Sequence, residues 1–347
     1  MQPISILKEI YTFKDQDSLS FFLNSIVEGE PTELRIQKYL QFRNQKEGLI
    51  CPECGSEKFI KNGKTKTKKV QKYRCKRCGK GFSEFTNTFL FRIHKKEKLI
   101  DFYEMSNAEV SLEDCRHNLR VSKQTVFNWR HKGISALKGI ETENISGIAE
   151  LMILEMTVSR KGERVNIDEL FPKEEITNPK KRLQRVPKIK VPEHTNECVQ
   201  VSFCCNREHQ MRFDVLELGE LNSTEMLKKI TTKLKKVKML CIEDNPIIKL
   251  FAQSKRLPYR IPKEDKKIKE REKIYHTHNI ENLLIGFSSW LSRFRGVATK
   301  YLQNYLNWYL VEVQYKGFHQ YLDLFMMLAI YNRKGITNYK SCKLFTG

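Results

Sequence analysis

The second half of the chain alternates short apolar runs with helical patterns. Four of the runs are short and rich in β-branched or apolar residues, which predicts β-strands. These runs are Glu150–Val158, Val199–Cys205, Met211–Leu216 and Lys238–Ile242. Helical patterns stand between and after them, at Ser223–Leu234 and His278–Arg295. Strands followed by helices predict an α/β or α+β domain.

The first half of the chain lacks such runs and is predominantly helical in pattern. Ser18–Leu49 and Leu99–Leu137 have apolar positions at helical spacing. Between them, Cys51–Phe85 is short, polar and rich in cysteine, which is typical of a small module held by a metal ion. Within the strand-rich half, the four prolines of Asn166–Asn196 predict a long loop or insertion.

The charge balance points to a polyanionic partner. The 347 residues contain 63 Lys and Arg against 41 Asp and Glu, a net charge of +22. Nucleic acid is the first class of partner that this charge indicates, and an anionic membrane surface is the second. The longest apolar stretch, near Tyr321–Tyr331, is about half the length of a membrane span and contains Asp323. We therefore expect no membrane association.

The expected location is the cytoplasm, with nucleoid association if the source is bacterial. Lys8 and Glu9 stand where a signal peptide needs an apolar run. Stable disulfides are rare in the cytoplasm, so the ten cysteines are expected to bind metal or to be buried as thiols.

Four cysteines have the spacing of a structural zinc site. Cys51 and Cys54 form one C-x2-C pair, and Cys75 and Cys78 form a second pair after twenty intervening residues. Two such turns complete a tetrahedral thiolate site for Zn²⁺, the pattern of a zinc ribbon. Two reduced cysteine pairs or a redox dithiol are the alternatives. Eleven Lys and Arg against one acid in residues 57–80 favour contact with phosphates, although a ribbon also serves protein contacts.

A helix-turn-helix is predicted from Ser111 to Arg130. Ser122 is a suitable N-cap for the second helix, and Val121, Val126 and Trp129 are expected to face inward. The candidate DNA-contacting residues on this helix are Lys123, Gln124, Thr125, Asn128 and Arg130. An ordinary pair of helices with a polar surface is the alternative.

A second basic stretch lies in the predicted insertion. Lys180, Lys181 and Arg182 begin it and are further candidate DNA contacts. In most proteins such a run is a solvated loop, and in a DNA complex it would follow the phosphate backbone.

Several longer motifs resemble one family. Arg293–Leu310 reads RFRGVATKYLQNYLNWYL, Tyr73–Thr88 reads YRCKRCGKGFSEFTNT, and Leu240–Pro246 reads LCIEDNP. Together with Gly147-Ile148 and Lys161-Gly162, they make the chain similar to the zinc-ribbon insertion-sequence transposases of the DDE type, the ISXO-like group. The resemblance extends from about residue 13 to residue 309.

The resemblance implies a multidomain architecture. N-terminal helices in residues 1–50 precede a zinc ribbon in 51–90 and a helix-turn-helix region in 91–145. An α/β RNase H-like domain then occupies 146–315, with a basic insertion near 165–196, and a helical tail covers 316–347. In this family three acidic or amide side chains hold two divalent metals, Mg²⁺ or Mn²⁺, that activate the nucleophile and stabilise the leaving oxygen.

The sequence departs from the family pattern at the first metal ligand. Aligned on the flanking glycine motifs, the first Asp falls on Met152, whose thioether is a poor ligand for Mg²⁺. The second and third ligands fall on Glu243 and Glu281. Glu150 lies two residues before Met152 on the same strand face and is the candidate substitute.

Three interpretations follow from the resemblance and its departure. The first is a transposase-family protein that binds double-stranded DNA at element ends and target sites but has lost cleavage and strand transfer. The second is an active transposase in which Glu150 compensates for Met152. The third is a zinc-ribbon DNA-binding regulator without nuclease activity. Transposases of this kind act as multimers on paired ends, so the resemblance also implies self-association on DNA.

Overall fold

A computed structural model describes most of the chain as two compact units. It covers residues 21–27, 29–65, 70–137, 145–162, 164–166, 188–190, 194–219, 234, 236–262, 274–315 and 321–331. The first unit combines the described residues up to 137 with those from 304 onward, and the second contains the described residues from 145 to 303. The predicted contacts Lys180, Lys181 and Arg182, and most of the predicted helix Ser223–Leu234, lie outside the described residues.

The described elements follow one another in this order. The helices are α1 (Thr32–Glu47), α2 (Leu99–Asn107), α3 (Leu112–Leu119), α4 (Lys123–Ala136), α5 (Pro246–Ser254), α6 (His278–Ser292), α7 (Leu302–Tyr315) and α8 (Tyr321–Tyr331). The strands are β1 (Phe59–Lys64), β2 (Gln71–Cys75), β3 (Gly81–Ser83), β4 (Ser146–Ser159), β5 (Arg164–Asn166), β6 (Lys188–Lys190), β7 (His194–Asn206), β8 (Met211–Leu218), β9 (Lys236–Ile242) and β10 (Tyr259–Arg260).

A small antiparallel sheet, β1-β2-β3, forms the cysteine-bearing part of the first unit. Its core is three aromatic rings, Phe59, Tyr73 and Phe82, with centroids 5.1–5.6 Å apart. Cys51 and Cys75 are buried with them. So few apolar side chains stabilise a module of this size only weakly, which is why small modules of this kind are usually stapled by a metal ion.

The helices α2 and α4 pack closely where Tyr103 of α2 meets Gly133 of α4. The Tyr103 hydroxyl donates to the carbonyl of Trp129 at 2.7 Å and lies directly over Gly133. A Cβ at Gly133 would stand 2.0 Å from this hydroxyl oxygen. A glycine in the middle of a helix lowers helix stability by about 1 kcal/mol relative to alanine. Here the glycine makes room for a buried tyrosine.

The C-terminal helix α8 completes the core of this first unit. Arg35 Nη2 on α1 lies 2.7 Å from Asp323 Oδ1, both side chains being about 90% buried, and the Tyr39 hydroxyl donates to the same oxygen. The rings of Tyr103 and Phe325 are 5.1 Å apart. The predicted helical tail therefore contains a helix that packs on residues far earlier in the sequence.

A five-stranded mixed sheet, in the order β8-β7-β4-β9-β10, forms the second unit. β4, β7 and β8 are antiparallel neighbours, whereas β9 is parallel to β4 and β10 is parallel to β9. On one face Ala149, Leu151 and Ile242 pack with Ile248 and Phe251 of α5. The side chains of Glu150 and Met152 alternate to the other face, where α6 packs through Phe287 against Phe203.

The run that follows α6 covers the open edge of this sheet at β8. The Gln303 carboxamide accepts from the N–H of Val215 at 2.8 Å and donates to the carbonyl of Phe213 at 3.0 Å. Thr299 Oγ1 accepts from the N–H of Ser159, and Lys161 Nζ donates to the carbonyl of Arg295. The run used above as a family signature is thus a set of backbone clamps in the second unit.

Candidate functional site

The four predicted metal ligands converge at one point. The Sγ atoms of Cys51, Cys54, Cys75 and Cys78 all lie within 4.8 Å of one another. Cys51 and Cys78 are 3.5 Å apart and Cys54 and Cys75 are 3.6 Å apart. Thiolates at 2.3 Å from a tetrahedral Zn²⁺ stand about 3.8 Å from one another, so the cluster fits this ion.

The two cysteine turns are built alike. In each, a glycine N–H donates to the carbonyl of the first cysteine, at 2.9 Å for Gly55 and 3.1 Å for Gly79. Both glycines have φ near +70°, a conformation that other residues adopt at a cost. N–H groups around Cys75, first that of Cys78, lower the pKa of its thiol to about 6. At Cys78 the N–H of Lys80 is outweighed by desolvation and the three neighbouring cysteines, which raise the pKa of that thiol to about 12. Without a metal ion the cluster therefore shares protons unequally, and all four thiols must lose them for Zn²⁺ to bind.

The helix pair α3 and α4 forms where the sequence predicts it. The Ser122 hydroxyl accepts from the N–H of Thr125 at the start of α4, and Ser111 caps α3 through the N–H of Asp114. Arg120 in the turn between them has φ of 51°, a left-handed conformation that ends α3. The turn of three residues, 120–122, therefore fixes the direction of α4 relative to α3.

The predicted contacts on α4 divide into exposed and buried ones. Lys123 and Gln124 are exposed, and Gln124 donates to Asn128 at 2.8 Å. Thr125 and Asn128 are half-buried. Arg130 is only 7% exposed and its guanidinium lies 6.0 Å from the ring centre of Trp308, so this side chain packs inside the unit.

The sheet brings two of the three family metal positions together. Leu151 and Ile242 are partners on the parallel strands β4 and β9, so Met152 and Glu243 follow side by side. The Glu243 carboxylate accepts from the N–H of Ile153 and from Asn245, while its burial raises its pKa. This pair holds one carboxylate and one half-buried thioether.

Glu150 is fully buried and already has several partners. The Arg207 guanidinium forms an ion pair with Oε1 of Glu150. Asn279 Nδ2 donates to Oε1 and the N–H of Ile280 donates to Oε2, both at 2.9 Å. This carboxylate therefore caps the start of α6 and neutralises a cation of the β7–β8 turn. No sequence pattern indicated Arg207 or Asn279 as its partners.

Glu281 lies in the first turn of α6. It accepts from the Thr277 hydroxyl at 2.5 Å and lies 3.4 Å from Nδ1 of His278. The Thr277 hydroxyl, followed by His278, lowers the pKa of Glu281. His276 stacks on His278 and lies 3.7 Å from Glu150, and its own pKa is lowered, first by burial and then by Arg207.

Across the described ranges, the four cysteines are the one set of three or more His, Cys, Asp or Glu side chains that converges tightly enough for a metal ion. Glu150, Glu243 and Glu281 do not meet this criterion as a group. Within the same ranges, no helix is both long enough and apolar enough to cross a membrane.

Comparisons with known proteins give one short sequence match. No family model matches the chain. It is 31% identical over 105 residues to the "Insertion element ISM1 uncharacterized 48.3 kDa protein" of Methanobrevibacter smithii. The match covers 24% of this chain and 26% of that protein, so the chain spans about a quarter of the length of its curated relative.

Solved structures give only distant neighbours. The "Crystal structure of a pre-cleavage Mos1 transpososome" has 9% identity and a TM-score of 0.28, covering 90% of this chain and 89% of the other. The "Crystal structure of the Mos1 Strand Transfer Complex" has 11% identity and a TM-score of 0.27, covering 95% and 97%. TM-scores of this size do not establish a common fold.

Proposed function

We propose that this chain is a DNA-binding protein of the insertion-element transposase type whose RNase H-like domain lacks a complete catalytic metal site. One observation carries the proposal. Met152 and Glu243 are neighbours on parallel strands. They are the residues onto which the first two family ligands fall, and only Glu243 offers an oxygen. The match to an insertion-element protein supports the same family.

The strand order supports the RNase H-like part. The central strand β4 has the antiparallel strands β7 and β8 on one side and the parallel strands β9 and β10 on the other. This mixed order supports the RNase H-like domain that the resemblance implies. We place the first ligand position on the central strand β4, at Met152, and the second directly after its parallel neighbour β9, at Glu243.

The contacts of Glu150 favour the inactive form over compensation. The Glu150 carboxylate is engaged by Arg207, Asn279 and the N–H of Ile280, so a metal ion at Met152 and Glu243 would have to compete with these three donors. Freeing it would leave a partly exposed guanidinium without its ion pair and a helix start without its cap, at a cost of about 3 kcal/mol. Mg²⁺ or Mn²⁺ would bind here only if the Glu150 carboxylate left these partners and turned toward Met152 and Glu243.

DNA binding is proposed for the zinc ribbon and the helix-turn-helix. Zn²⁺ would be structural, since four thiolates leave no position for a substrate. Lys123, Gln124, Thr125 and Asn128 would face double-stranded DNA from the start of α4, with self-association on paired ends. A regulator that uses the same DNA-binding parts without descent from a transposase is the alternative.

A cleavage assay tests the proposal. The zinc-loaded full chain is incubated with labelled duplexes tiled across the DNA flanking its gene, with Mg²⁺ or Mn²⁺. We expect specific binding without cleavage by the native chain, and gain of 3′-end cleavage in Met152→Asp, which restores an oxygen ligand beside Glu243. Cleavage by the native chain that Glu243→Gln abolishes would instead establish an active enzyme.

A further inference from the structure

The segment that joins the zinc ribbon to α2 has two chemically different faces. Phe89, Leu90 and Ile93 are at most 3% exposed and anchor the segment in the core. Phe91 and Arg92, between them in sequence, project outward, and the Phe91 side chain is 39% exposed. The segment thus presents an aromatic ring and a cation side by side to solvent, while its other apolar residues are buried.

The exposed pair has a fixed geometry. The N–H of Phe91 donates to the carbonyl of Thr88 at 3.0 Å, and that of Ile93 donates to Leu90 at 3.1 Å. Arg92 has φ of 60°, so the chain turns sharply at this residue. Its guanidinium lies 5.3 Å from the ring centre of Phe91, which keeps the two side chains together. We call Phe91 and Arg92 the aromatic–arginine ridge.

Helix α4 holds this ridge directly. Lys132 Nζ donates to the carbonyl of Phe91 at 2.6 Å. Gln124, Asn128 and Lys132 are four residues apart and therefore line one face of α4. The ridge thus continues the helix face that carries the candidate DNA contacts, about 12 Å from its start at 1.5 Å per residue.

The charge of the segment suits a phosphate backbone. Residues 85–96 contain Arg92, Lys95 and Lys96 and no acid. Arg92 also lies close enough to Lys132 to contribute, after burial, to lowering the pKa of that amine. Two cations held this close without an acid between them lower their energy when a polyanion binds.

From this geometry we propose that the aromatic–arginine ridge is a second DNA contact, used when α4 lies in the major groove. The major groove is about 12 Å wide, so the ridge would stand at the phosphate backbone that bounds it and at the edge of the adjoining minor groove. There Arg92 would bind phosphates or enter the narrow groove, and the Phe91 ring would pack on a sugar or a base step. This inference rests on the proposed DNA binding.

Binding of a random-sequence duplex of about 30 base pairs, measured by fluorescence anisotropy at several salt concentrations, tests the ridge. The full zinc-loaded chain is compared with Arg92→Ala and Phe91→Ala. We expect Arg92→Ala to weaken binding about fivefold or more and to reduce the salt slope by about one. Phe91→Ala should weaken binding by a similar factor and leave the salt slope unchanged.

Arg293→Ala is the matched control, because Arg293 also stacks on aromatic rings, Trp290 and Phe294, but belongs to the second unit. It should bind as the native chain does. Arg92→Gly repeats the test with a residue that accepts the left-handed conformation, should the alanine variant not fold.

Two outcomes would overturn the inference in distinguishable ways. If the native chain binds and both ridge variants bind within twofold of it, the ridge is not a DNA contact and the proposed function stands. If the native chain itself binds no duplex at low salt, DNA binding fails and the ridge fails with it.

Discussion

Glu150 shows at the residue scale how a candidate ligand acquires a structural role. Its carboxylate is buried, it caps α6, and it pairs with Arg207 from the β7–β8 turn. Replacing such a group by an apolar one removes the ion-pair partner of a partly exposed guanidinium and leaves the buried N–H of Ile280 without an acceptor, and an unpaired buried donor costs more than the bond itself contributes.

Glu150→Ala is therefore expected to lower the free energy of unfolding by about 3 kcal/mol, the low end for a broken buried pair, since Arg207 is partly exposed. Urea denaturation measures this loss. Glu155→Ala is the control, because Glu155 is an exposed carboxylate on the same strand whose one described side-chain bond is from Gln200 at 2.8 Å, and it should cost about 1 kcal/mol or less. Equal losses in the two variants would contradict the structural role.

The sequence indicated Glu150 but not its partners. Strand alternation put Glu150 on one face with Met152, and the structure has both residues on that face. Arg207 is 57 residues away, in a turn without any motif, and Asn279 is 129 residues away. Partners this distant are set by the folded sheet, and no local pattern encodes them.

At the scale of elements, local signals were the most informative. Ser122 was predicted as an N-cap and its hydroxyl does cap α4, because capping depends only on residues three positions away. Arg130 was predicted on the surface of the same helix and is buried against Trp308. The helix that covers it lies 178 residues later, and helical periodicity alone does not reveal such a neighbour.

The Gln303 clamp on strand β8 makes a prediction at this scale. Gln303→Leu should lower the free energy of unfolding of the second unit by about 1–3 kcal/mol, because a buried N–H at Val215 and a carbonyl at Phe213 lose their partner. Gln303→Glu should cost less, since it keeps the acceptor for Val215. Thermal unfolding followed by circular dichroism measures both losses.

Gln253→Leu provides the comparison for these variants. Gln253 is exposed on α5 in the same unit and donates only a long bond to the Tyr259 hydroxyl, at 3.2 Å. A loss at Gln303 no greater than at Gln253 would mean that the clamp does not stabilise the sheet edge.

The whole molecule combines parts that differ in what stabilises them. The small β1–β3 sheet has three aromatic rings and four cysteines at its centre, whereas the five-stranded sheet has a large apolar core. The sequence indicated both parts, through cysteine spacing and through apolar runs. The strand order was not predictable from the sequence, because pairing the central strand β4 with β7 and β9 depends on contacts far apart in the chain.

Metal removal should affect these parts unequally. After a strong chelator has removed all zinc, we expect the segment around Cys51–Cys78 to unfold and DNA affinity to fall, because folding of such modules is coupled to metal binding. Hydrogen exchange measured by mass spectrometry should then show lost protection in β1–β3 and unchanged protection in β4, β7 and β9. Full DNA affinity in the metal-free chain would contradict the coupling.

The first unit combines an early and a late part of the sequence, and this has a consequence for how the protein folds during synthesis. The first unit contains Asp323, which pairs with Arg35, and Phe325, which packs on Tyr103. During synthesis, the core around these residues therefore stays incomplete until 288 further residues have followed Arg35 and, from the residue numbers, 222 have followed Tyr103. The five-stranded sheet is continuous in sequence and has no such delay. A fragment that ends after α4 would expose this core, so the first unit is best studied with α7 and α8 attached.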